Sequence, residues 1–543
     1  MDEALFTLSQ PQNEPMLGYF PGSYERRELK ACLGSLASCE IEIPLVIGGR
    51  EVRTGRLADC VMPHAHGHRL ARVHLAGPAE VAQAADAAEK ARRDWSHLPW
   101  PERVSVFLKA AELLAGPWRS TLNAATMLGQ SKTAFQAEID AACELIDFFR
   151  FNAHFADRIY SQQPASALGI WDRLEWRPLE GFVFAVSPFN FTSIAGNLAA
   201  APAVMGNTVV WKPAASAVYS GYHLMRLLME AGLPDGVINF LPGPGSTIGD
   251  ALLDRPDLAG IHFTGSTATF RGIWRGVGER LERYRSYPRI VGETGGKGFV
   301  LAHASADPVA LVCALVRGAF EYQGQKCSAA SRAYVPDDLW PEVRDRLRAT
   351  IQAIRLGDPT DFRTFMSAVI DRSAYDRILG YIDFARQSPD AELIAGGTGD
   401  STHGYFIEPT VVQTRDPHLK LMEEEIFGPL LTIFVYPTAE YEAALELCDA
   451  TSPYGLTGAV FARDRQAIHQ AHRRLRYAAG NFYVNDKPTG AVVGLQPFGG
   501  SRASGTNDKA GSTLNLMRWV TPRTIKETFV PPALFTYPYM AEK

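Results

Sequence analysis

The sequence predicts an α/β protein with a doubly wound parallel sheet, followed by a second α/β region. Residues 182–186 form a continuous apolar run that Ser187 and Pro188 close. Such a run is typical of a parallel strand that is buried on both faces. Further strand-like runs alternate with helical stretches up to residue 291, which indicates βαβ units. The length of 543 residues is enough for two large domains.

Each element follows from its local pattern. Before the sheet, the sequence predicts helices at residues 78–94, 101–115 and 131–155, the first beginning at a proline. The remaining predicted elements are strands at 182–186, 208–211, 237–240, 260–263 and 289–291, with helices that include 194–205 and 216–231. The second α/β stretch covers residues 299–484, and Gly295-Gly296 marks the best candidate boundary between the two.

Composition excludes several classes of function. The net charge of −5 argues against a nucleic-acid-binding protein, which would carry a basic surface. Seven scattered cysteines suit a reducing compartment better than a disulfide framework. No apolar run approaches the roughly 20 residues that span a bilayer. Residues 1–6 lack the basic start of a signal peptide, so we expect the cytoplasm, with the mitochondrial matrix as the alternative for a eukaryotic source.

A candidate catalytic pair stands out in two glycine-bearing segments. Cys327 lies in a turn after a predicted helix, directly after Lys326, and the attacking species of a cysteine is a thiolate that needs electropositive surroundings. Isolated cysteines are usually buried and inert. Glu293, however, lies 34 residues upstream among glycines and supplies a candidate base. The two residues together predict a nucleophile and its general base.

Two features suggest a phosphate site, and each has an ordinary alternative. Residues 263–267 follow a strand and open a helix, whose free N–H groups and positive dipole end suit a pyrophosphate. Lys212 follows another strand, at the sheet edge where ligands bind in open α/β folds. The G-x-G-x-x-G fingerprint is absent, so a simple capped helix and a solvated lysine stay open.

No metal site is predicted. His64, His66 and His68 resemble ligands but have no second ligand cluster beside them. The acidic run 423–425 is typical of a solvated helix face, although Glu425 leads into a turn that can aim it.

Seven blocks in order, over roughly 310 residues, resemble the aldehyde dehydrogenase superfamily. They are residues 187–191, 211–213, 263–266, 292–297, 324–327, 425–429 and 497–500. Four more segments, 136–140, 148–152, 485–491 and 503–509, resemble the branch that acts on Δ1-pyrroline-5-carboxylate. The resemblance covers nearly the whole chain.

The resemblance implies roles for the catalytic and cofactor residues. Cys327 would attack an aldehyde carbon, Asn190 would hold the oxyanion, and Glu293 would activate water to hydrolyse a thioester. NAD is the implied cofactor. Its implied contacts are Ser187, Lys212, Gly265, Ser266, Thr267, Ala268, Thr269, Glu425 and Phe427.

The resemblance also implies a small-molecule substrate, L-glutamate γ-semialdehyde, oxidised to L-glutamate in the second step of proline breakdown. Ser328 and the backbone of Gly490 and Ala491 would bind its carboxylate. Phe191 and Phe498 would enclose its methylene chain, although core packing is the alternative for both rings. Glu138 and Lys326 would form a charged pair that shapes the pocket.

Two departures from the family pattern bear on specificity. Some relatives carry serine at the position of Ala491, so a side-chain contact to the substrate is absent here. Many NAD-preferring relatives carry an acidic residue at the position of Ala215, and its absence removes a repulsion against NADP.

Two rival functions stay open. One is an aldehyde dehydrogenase with another substrate, or one that transfers the acyl group to coenzyme A, although Glu293 would then waste the thioester. The other is a non-catalytic structural or regulatory protein on the same fold, against which the catalytic residues argue.

The implied organisation has three parts. Residues 1–169 and 181–296 would form the NAD-binding domain, and residues 297–514 the catalytic domain. Residues 170–180 and 515–537 would form an oligomerisation hairpin and its partner strand, giving a homodimer or a dimer-based homo-oligomer without nucleic-acid or membrane partners.

Overall fold

The computed structural model describes residues 7–542. The segment 1–6, on which the expectation of no signal peptide rested, lies outside the described residues. Two seven-stranded sheets dominate the architecture, with one three-stranded and three two-stranded sheets beside them. The predicted α/β class is confirmed.

Helices cover both faces of the large sheets. Their bounds are α1 (Tyr24–Ala37), α2 (Pro78–Trp95), α3 (Trp100–Ala115), α4 (Arg119–Gln130), α5 (Ala134–Ala137), α6 (Leu145–Tyr160), α7 (Thr192–Val204), α8 (Val218–Glu230), α9 (Gly245–Leu253), α10 (Thr267–Gly278), α11 (Pro308–Phe320), α12 (Trp340–Gln352), α13 (Arg372–Gln387), α14 (Lys420–Glu423), α15 (Tyr441–Ala450), α16 (Arg465–Arg474) and α17 (Thr513–Leu516).

The strands are β1 (Ile41–Ile43), β2 (Leu45–Ile47), β3 (Arg50–Val52), β4 (Leu57–Met62), β5 (Ala65–His74), β6 (Ile170–Pro178), β7 (Phe182–Val186), β8 (Thr208–Lys212), β9 (Ile238–Phe240), β10 (Leu258–Thr264), β11 (Arg289–Glu293), β12 (Gly298–Ala302), β13 (Ala330–Pro336), β14 (Ala391–Ala395), β15 (Gly399–Asp400), β16 (Phe406–Ile407), β17 (Thr410–Thr414), β18 (Leu430–Tyr436), β19 (Tyr454–Gly455), β20 (Thr457–Phe461), β21 (Asn481–Val484), β22 (Ser501–Arg502) and β23 (Val520–Thr528).

The first large sheet has the order β11-β10-β7-β8-β9-β2-β3. Its five strands from β11 to β9 are parallel and correspond to the predicted strands. The sequence did not predict β2 and β3, which extend the sheet by antiparallel pairing, β2 with β9 and β3 with β2. Register pairs Val186 with Lys212 and Thr264 with Glu293, so four neighbouring strands end at one edge. This edge carries the site described below.

The second large sheet has the order β14-β17-β18-β13-β12-β20-β21. Glu293 ends an edge strand of the first sheet, and Gly298 begins a central strand of the second. The chain therefore passes from the first sheet to the second between residues 293 and 298. Cys327 lies between α11 and β13, in the connection between two neighbouring strands of the second sheet, β12 and β13.

The helix predicted at 131–155 is present from Ala134, although it is not a regular α-helix and extends to Tyr160. α4 ends at Gln130, and Ser131 takes a left-handed conformation with φ of 55°. The chain then passes through α5 and a π-helical segment, Glu138–Glu144, into α6. The buried Ser131 is held by His64, whose ring lies 2.8 Å from the hydroxyl, and by Gln323, which donates to the Ser131 carbonyl. These tertiary contacts fix the turn that separates α4 from the predicted helix, and wide π turns are frequent at functional sites.

β6 and β23 form a separate antiparallel ribbon with nine residue pairs in register. The predicted pairing of residues 170–180 with the C-terminal strand is thus present, but as two strands distant in sequence and not as a local hairpin. Arg173 and Glu527 form an ion pair across the ribbon at 2.9 Å. Among residues 7–542, no helix combines the length and apolar character needed to cross a bilayer.

Candidate active site

A cleft of about 940 Å³ runs along the carboxyl edge of the first sheet and reaches Cys327. Seven of the nine predicted cofactor residues line it: Ser187, Lys212, Gly265, Ser266, Thr269, Glu425 and Phe427. Thr267 and Ala268 lie in the first turn of α10 but not in the lining. Asn190 and Cys327 line the same cleft, so one cavity joins the two predicted halves of the site.

The outer part of the cleft fits an anionic group. Ser266 caps α10, because its Oγ accepts a hydrogen bond from the Thr269 N–H at 3.2 Å. Lys212 lies at the end of β8, and burial lowers the pKa of its ammonium. Its Nζ donates to the Pro213 carbonyl at 3.2 Å, which leaves further N–H donors for a ligand. A helix N-terminus and a lysine at the sheet edge suit a pyrophosphate.

Glu425 lies where the two sheets meet. Its Oε1 accepts a hydrogen bond from the Gly296 N–H at 2.7 Å. A Cβ on Gly295 would lie 2.3 Å from Oε2, so this approach requires glycine at position 295. Phe427 has φ of 55° and packs edge-on against Phe189, with 5.6 Å between the ring centroids. The carboxylate is thereby fixed at the cleft wall.

Cys327 and Glu293 are in direct contact. The Cys327 Sγ–H donates to Glu293 Oε1 at 3.1 Å. Burial and the nearby Glu293 carboxylate raise the pKa of the thiol well above its usual value. Burial raises the pKa of Glu293 to about 7, although the bond from the thiol acts in the opposite direction. The pair therefore rests as a thiol hydrogen-bonded to a base that titrates near neutral pH.

The expected electropositive surroundings of Cys327 are wrong. The Lys326 ammonium turns to Glu321 Oε2, at 3.4 Å, while an acidic side chain contacts the sulfur. Successive side chains in the turn point in different directions, so a sequence neighbour is no guide to the environment of the thiol. The adjacent carboxylate, and not the lysine, is positioned to remove the proton.

The turn before Cys327 is strained and firmly held. Tyr322, Gln323 and Gly324 have successive φ values of 50°, 56° and 64°. The Gln323 side chain donates to the Ala368 carbonyl at 2.6 Å. Asn190 Nδ2 donates to the Gln325 carbonyl at 3.1 Å, which places the amide beside the nucleophile. Left-handed residues other than glycine are costly and concentrate at functional sites.

Residues 503–506 hold the backbone on both sides of Glu293. Thr294 N–H donates to the Ser504 carbonyl at 3.0 Å, and Gly292 N–H donates to Thr506 Oγ1 at 2.9 Å. A Cβ on Gly505 would lie only 2.2 Å from the Gly292 carbonyl oxygen. The segment that resembles the pyrroline-carboxylate branch therefore fixes the base.

The predicted carboxylate-binding residues also come together. Ser328 Oγ lies 2.7 Å from Thr489 Oγ1, which joins the Cys327 turn to the loop that carries Gly490 and Ala491. Gly490 has φ of 95°, a conformation that favours glycine. Burial lowers the pKa of Lys326 to about 8, and the nearby ammonium groups of Lys132 and Lys487 contribute. Lys326 pairs with Glu321 and Lys132 with Asp140, so Lys487 supplies the positive charge that favours an anionic ligand.

Phe191 and Phe498 lie on separate elements beside the catalytic pair. Phe191 directly follows Asn190, and the Lys132 Nζ lies 4.3 Å from its ring centroid. Phe498 lines a smaller cavity of about 50 Å³ together with Glu293 and Glu144. Both rings are partly exposed, so neither is a fully buried core residue.

The profile of the aldehyde dehydrogenase family matches residues 51–525. The chain belongs to the aldehyde dehydrogenase family. This confirms the predicted family and fold.

Two relatives and one solved structure match this chain over nearly its full length. The mitochondrial Δ1-pyrroline-5-carboxylate dehydrogenase of Dictyostelium discoideum is 53% identical over 538 residues, which cover 98% of this chain and 96% of the relative. The human mitochondrial enzyme of the same name is 49% identical, covering 97% and 94%. The crystal structure of the Mycobacterium tuberculosis Δ-pyrroline-5-carboxylate dehydrogenase bound with NAD superposes with a TM-score of 0.96 at 54% identity, covering 99% and 100%.

One predicted contact in this aldehyde dehydrogenase is wrong. Glu138 does not pair with Lys326, because its carboxylate bonds to the Arg119 guanidinium, the Tyr19 hydroxyl at 2.7 Å and the Asn123 amide at 2.8 Å. The π-helical segment that begins at Glu138 changes the side-chain directions that a regular helix would give. Glu138 thus faces the N-terminal residues of the chain.

The sequence reasoning missed Glu144, the acidic residue that does lie beside the catalytic pair. It lines the same small cavity as Glu293 and accepts a hydrogen bond from Ser193 Oγ at 2.9 Å. Burial, with the Asp140 carboxylate contributing, raises its pKa to about 8. Its proximity to the site depends on the π turn, which no pattern in the sequence indicated.

The three clustered histidines point to separate partners. The rings of His64, His66 and His68 lie within hydrogen-bonding distance of Ser131, the Ser401 carbonyl and the Ala37 carbonyl, respectively. In the part of the chain that the structure describes, no group of three or more His, Cys, Asp or Glu side chains is arranged to hold a metal ion.

Proposed function

We propose that this aldehyde dehydrogenase uses NAD to oxidise L-glutamate γ-semialdehyde, the open form of Δ1-pyrroline-5-carboxylate, to L-glutamate. The observation that carries the proposal is the Cys327–Glu293 contact at the inner end of a dinucleotide-sized cleft. The names of the full-length relatives support the same substrate. The reaction is the second step of proline breakdown.

NAD would occupy the 940 Å³ cleft and accept a hydride at its nicotinamide ring. Lys212 and the N-terminus of α10 would hold the phosphates. Glu425 would bind a ribose, since its carboxylate is fixed by the Gly296 N–H at the cleft wall. The NAD-bound M. tuberculosis structure, at a TM-score of 0.96, supports this placement.

In the first step, Cys327 Sγ attacks the aldehyde carbon while its proton passes to the Glu293 carboxylate, 3.1 Å away. The carbonyl oxygen becomes an oxyanion in a thiohemiacetal. Asn190 Nδ2 is the side-chain donor for it, because its other hydrogen bond, to Gln325, holds the amide in place. One such donor typically lowers the barrier by about 3–4 kcal/mol.

Loss of hydride from the thiohemiacetal carbon leaves a thioester on Cys327. Glu293, once it has released its proton, removes a proton from water, and the hydroxide attacks the thioester carbonyl. The carbon–sulfur bond breaks, the acid leaves, and the sulfur regains a proton. A base that titrates near 7 is well matched to this step.

Substrate choice would come from charge at the inner end of the site. Ser328, the backbone of Gly490 and Ala491, and the ammonium groups around Lys326 suit a carboxylate. Glu144 would be the acidic side chain at this end of the site, since it lines the cavity beside Phe498.

The test is NADH formation from Δ1-pyrroline-5-carboxylate beside butanal, with and without coenzyme A. We expect kcat/KM for the pyrroline substrate to exceed that for butanal by about 100-fold, the combined value of two or more charged contacts. Equal turnover of both aldehydes would remove the substrate assignment. Strict dependence on coenzyme A would favour the acyl-transferring alternative.

Cys327→Ala supplies the mechanistic arm of that test. Loss of a covalent nucleophile typically lowers kcat by about 10⁴-fold or more. NAD binding, followed by protein fluorescence, serves as the control for folding and should be retained. Activity near the wild-type level would exclude the covalent mechanism.

We further propose a homodimer, or an oligomer of dimers, assembled through the β6–β23 ribbon. Within residues 7–542 each of these strands pairs only with the other, and free strand edges bind further strands. Light scattering should give at least twice the 59.5 kDa chain mass, and Ile525→Pro on β23 should lower it. A monomeric wild-type protein would contradict this assembly.

The domain division and the compartment are proposals of the same kind. Residues 1–169 and 181–296 would form one unit around the first sheet, and residues 297–514 another around the second. Hydrogen exchange should then show two separately protected units. For the compartment we propose the cytoplasm, or the mitochondrial matrix in a eukaryotic source, which fractionation of the source cells would decide.

A further inference from the structure

Residues 8–19, which we call the N-terminal strap, cross the surface of the π-helical segment and α6 without regular secondary structure. The match to the aldehyde dehydrogenase family begins only at residue 51, so the strap lies outside it. Its polar contacts nevertheless reach two distant parts of the protein, the Glu138 cluster and the loop that follows Gly490.

One end of the strap is anchored on buried charge. Leu17 N–H and the Tyr19 hydroxyl donate to the two oxygens of Glu138, at 2.8 and 2.7 Å. Arg119 ties in the middle of the strap, because its guanidinium donates to the Pro15 carbonyl at 2.9 Å and to Glu14 at 2.6 Å. Charge-assisted bonds of this kind are the strong ones.

The other contact connects the strap to the predicted carboxylate-binding loop. Asn13 Nδ2 donates one hydrogen bond to Asp147 Oδ2 at 2.7 Å and one to the Val493 carbonyl at 2.8 Å. Glu14 N–H donates to the other oxygen of Asp147 at 2.8 Å. Val493 is buried against Phe148 and Phe151 on α6 and lies three residues after Gly490.

We propose that Asn13 is a positioning residue for substrate recognition. The loop between β21 and β22 has no helix or strand of its own, and Gly490 and Gly494 both have positive φ. The Asn13–Val493 bond fixes this loop so that the N–H groups of Gly490 and Ala491 stay aimed at the substrate carboxylate. Fixing the loop before binding removes an ordering cost that binding would otherwise bear.

This inference rests on the proposed function for its substrate, and the test separates the two. Asn13→Ala in the full-length protein should raise KM for Δ1-pyrroline-5-carboxylate about tenfold, the effect of one hydrogen bond, with kcat within about twofold. KM for butanal, which has no carboxylate, should not change. Gln12→Ala, an exposed neighbour in the strap, is the matched control and should leave both constants unchanged.

Hydrogen–deuterium exchange gives a readout that needs no substrate. Leu495 and Gln496 N–H groups donate to the Val492 carbonyl at 3.0 and 2.9 Å, and their exchange should quicken about tenfold in Asn13→Ala if a bond of ordinary strength is lost. Exchange in the first sheet should not change, which excludes global unfolding. Unchanged exchange at both amides overturns the proposal, as does an equal rise of KM for both aldehydes.

The outcomes are therefore distinguishable. If the wild-type enzyme shows no preference for the pyrroline substrate over butanal, the proposed function fails, and the exchange rates still decide whether the strap holds the loop. If Asn13→Ala folds poorly, Asn13→Asp places a second carboxylate beside Asp147 without shortening the side chain. That variant should give the same selective rise of KM.

Discussion

The cofactor end and the substrate end of the site are built in different ways. The cofactor end consists of the carboxyl ends of neighbouring parallel strands, each followed by a turn or a helix, as at Ser187, Lys212 and Gly265. The substrate end gathers Ser328, Thr489 and Glu144 from separate parts of the chain and holds them with buried polar contacts. One end is thus set by sheet topology and the other by individual side-chain bonds.

That difference explains why the two ends were not equally open to prediction. A strand that ends in a turn places its next residue at the sheet edge whatever the rest of the chain does, so local pattern is enough. The direction in which a buried charged side chain points depends on which oppositely charged side chain lies within hydrogen-bonding distance. Glu138 and Lys326 were expected to pair, but Arg119 and Glu321 are their partners.

The largest expected effect concerns Glu293, which lies where the two ends meet. Glu293→Gln should lower steady-state kcat by about 10²–10⁴-fold, because the Cys327 thiol and the water that hydrolyses the thioester lose their common base. KM for NAD should stay within about threefold, and rapid mixing should show that the first NADH also forms more slowly, since Cys327 gives its proton to Glu293. Glu392→Gln, an exposed carboxylate on β14, is the control. Retained turnover would mean that another group activates the water.

The pH dependence of the wild-type enzyme gives a second test of Glu293 as the base. Burial raises the pKa of Glu293 to about 7, and the base acts only when it is deprotonated. Activity, measured as kcat/KM, should therefore rise with pH through about 7 and fall below it. Glu144, with a pKa of about 8, titrates in a similar pH range. The variant Glu144→Gln is therefore the control, and its kcat/KM should still rise with pH near 7. If Glu144→Gln abolishes the rise in kcat/KM, the rise reports Glu144 and not Glu293.

A smaller effect is expected at the substrate end alone. Ser328→Ala removes a hydroxyl that would bond to the substrate carboxylate, which typically costs about 1.5–3 kcal/mol and raises KM about 10–100-fold. KM for NAD and for butanal should be unaffected. If KM for NAD rises by a similar factor, the two ends are not separate, because Ser328 would then act through the cofactor site.

The smallest effect is expected at the cofactor end. Ala215 lines the cleft where many relatives carry an acidic residue, so the wild-type enzyme should also use NADP. Ala215→Glu places a carboxylate near the 2′-phosphate and should lower kcat/KM for NADP about tenfold, the effect of one repulsive contact, with little change for NAD. A wild-type enzyme that already rejects NADP would show that another residue determines the preference.

Much of the fold follows from sequence pattern. The strands of the first sheet that the apolar runs predicted are present, because buried parallel strands impose a strong local composition. β2 and β3 were missed because they are three residues long and join the sheet through tertiary pairing, β2 with β9 and β3 with β2. The helix predicted at 131–155 is present from Ala134, but its π turn was not predicted, and buried tertiary bonds at Ser131 decide where it begins.

The sequence marks Cys327 and Glu293 as a candidate catalytic pair, but it does not show their contact or their protonation. Glycine-flanked Glu293 and the turn around Cys327 mark the two residues. Their 3.1 Å contact, and the high pKa that burial and the carboxylate give to the thiol, appear only in three dimensions. The role of Lys326 was misjudged because adjacency along the chain was used in place of direction in space.

The bond between Asn13 and Val493 joins residues 480 positions apart, and the β6–β23 ribbon joins residues separated by about 350, such as Arg173 and Glu527 at 354. During synthesis the N-terminal residues therefore leave the ribosome long before their partners exist. The strap can close only after residue 493 has been made, and the ribbon only after residues 520–528. Contacts of such range are slow to form, so the interval in which the unpaired strand β6 can aggregate lasts at least until then.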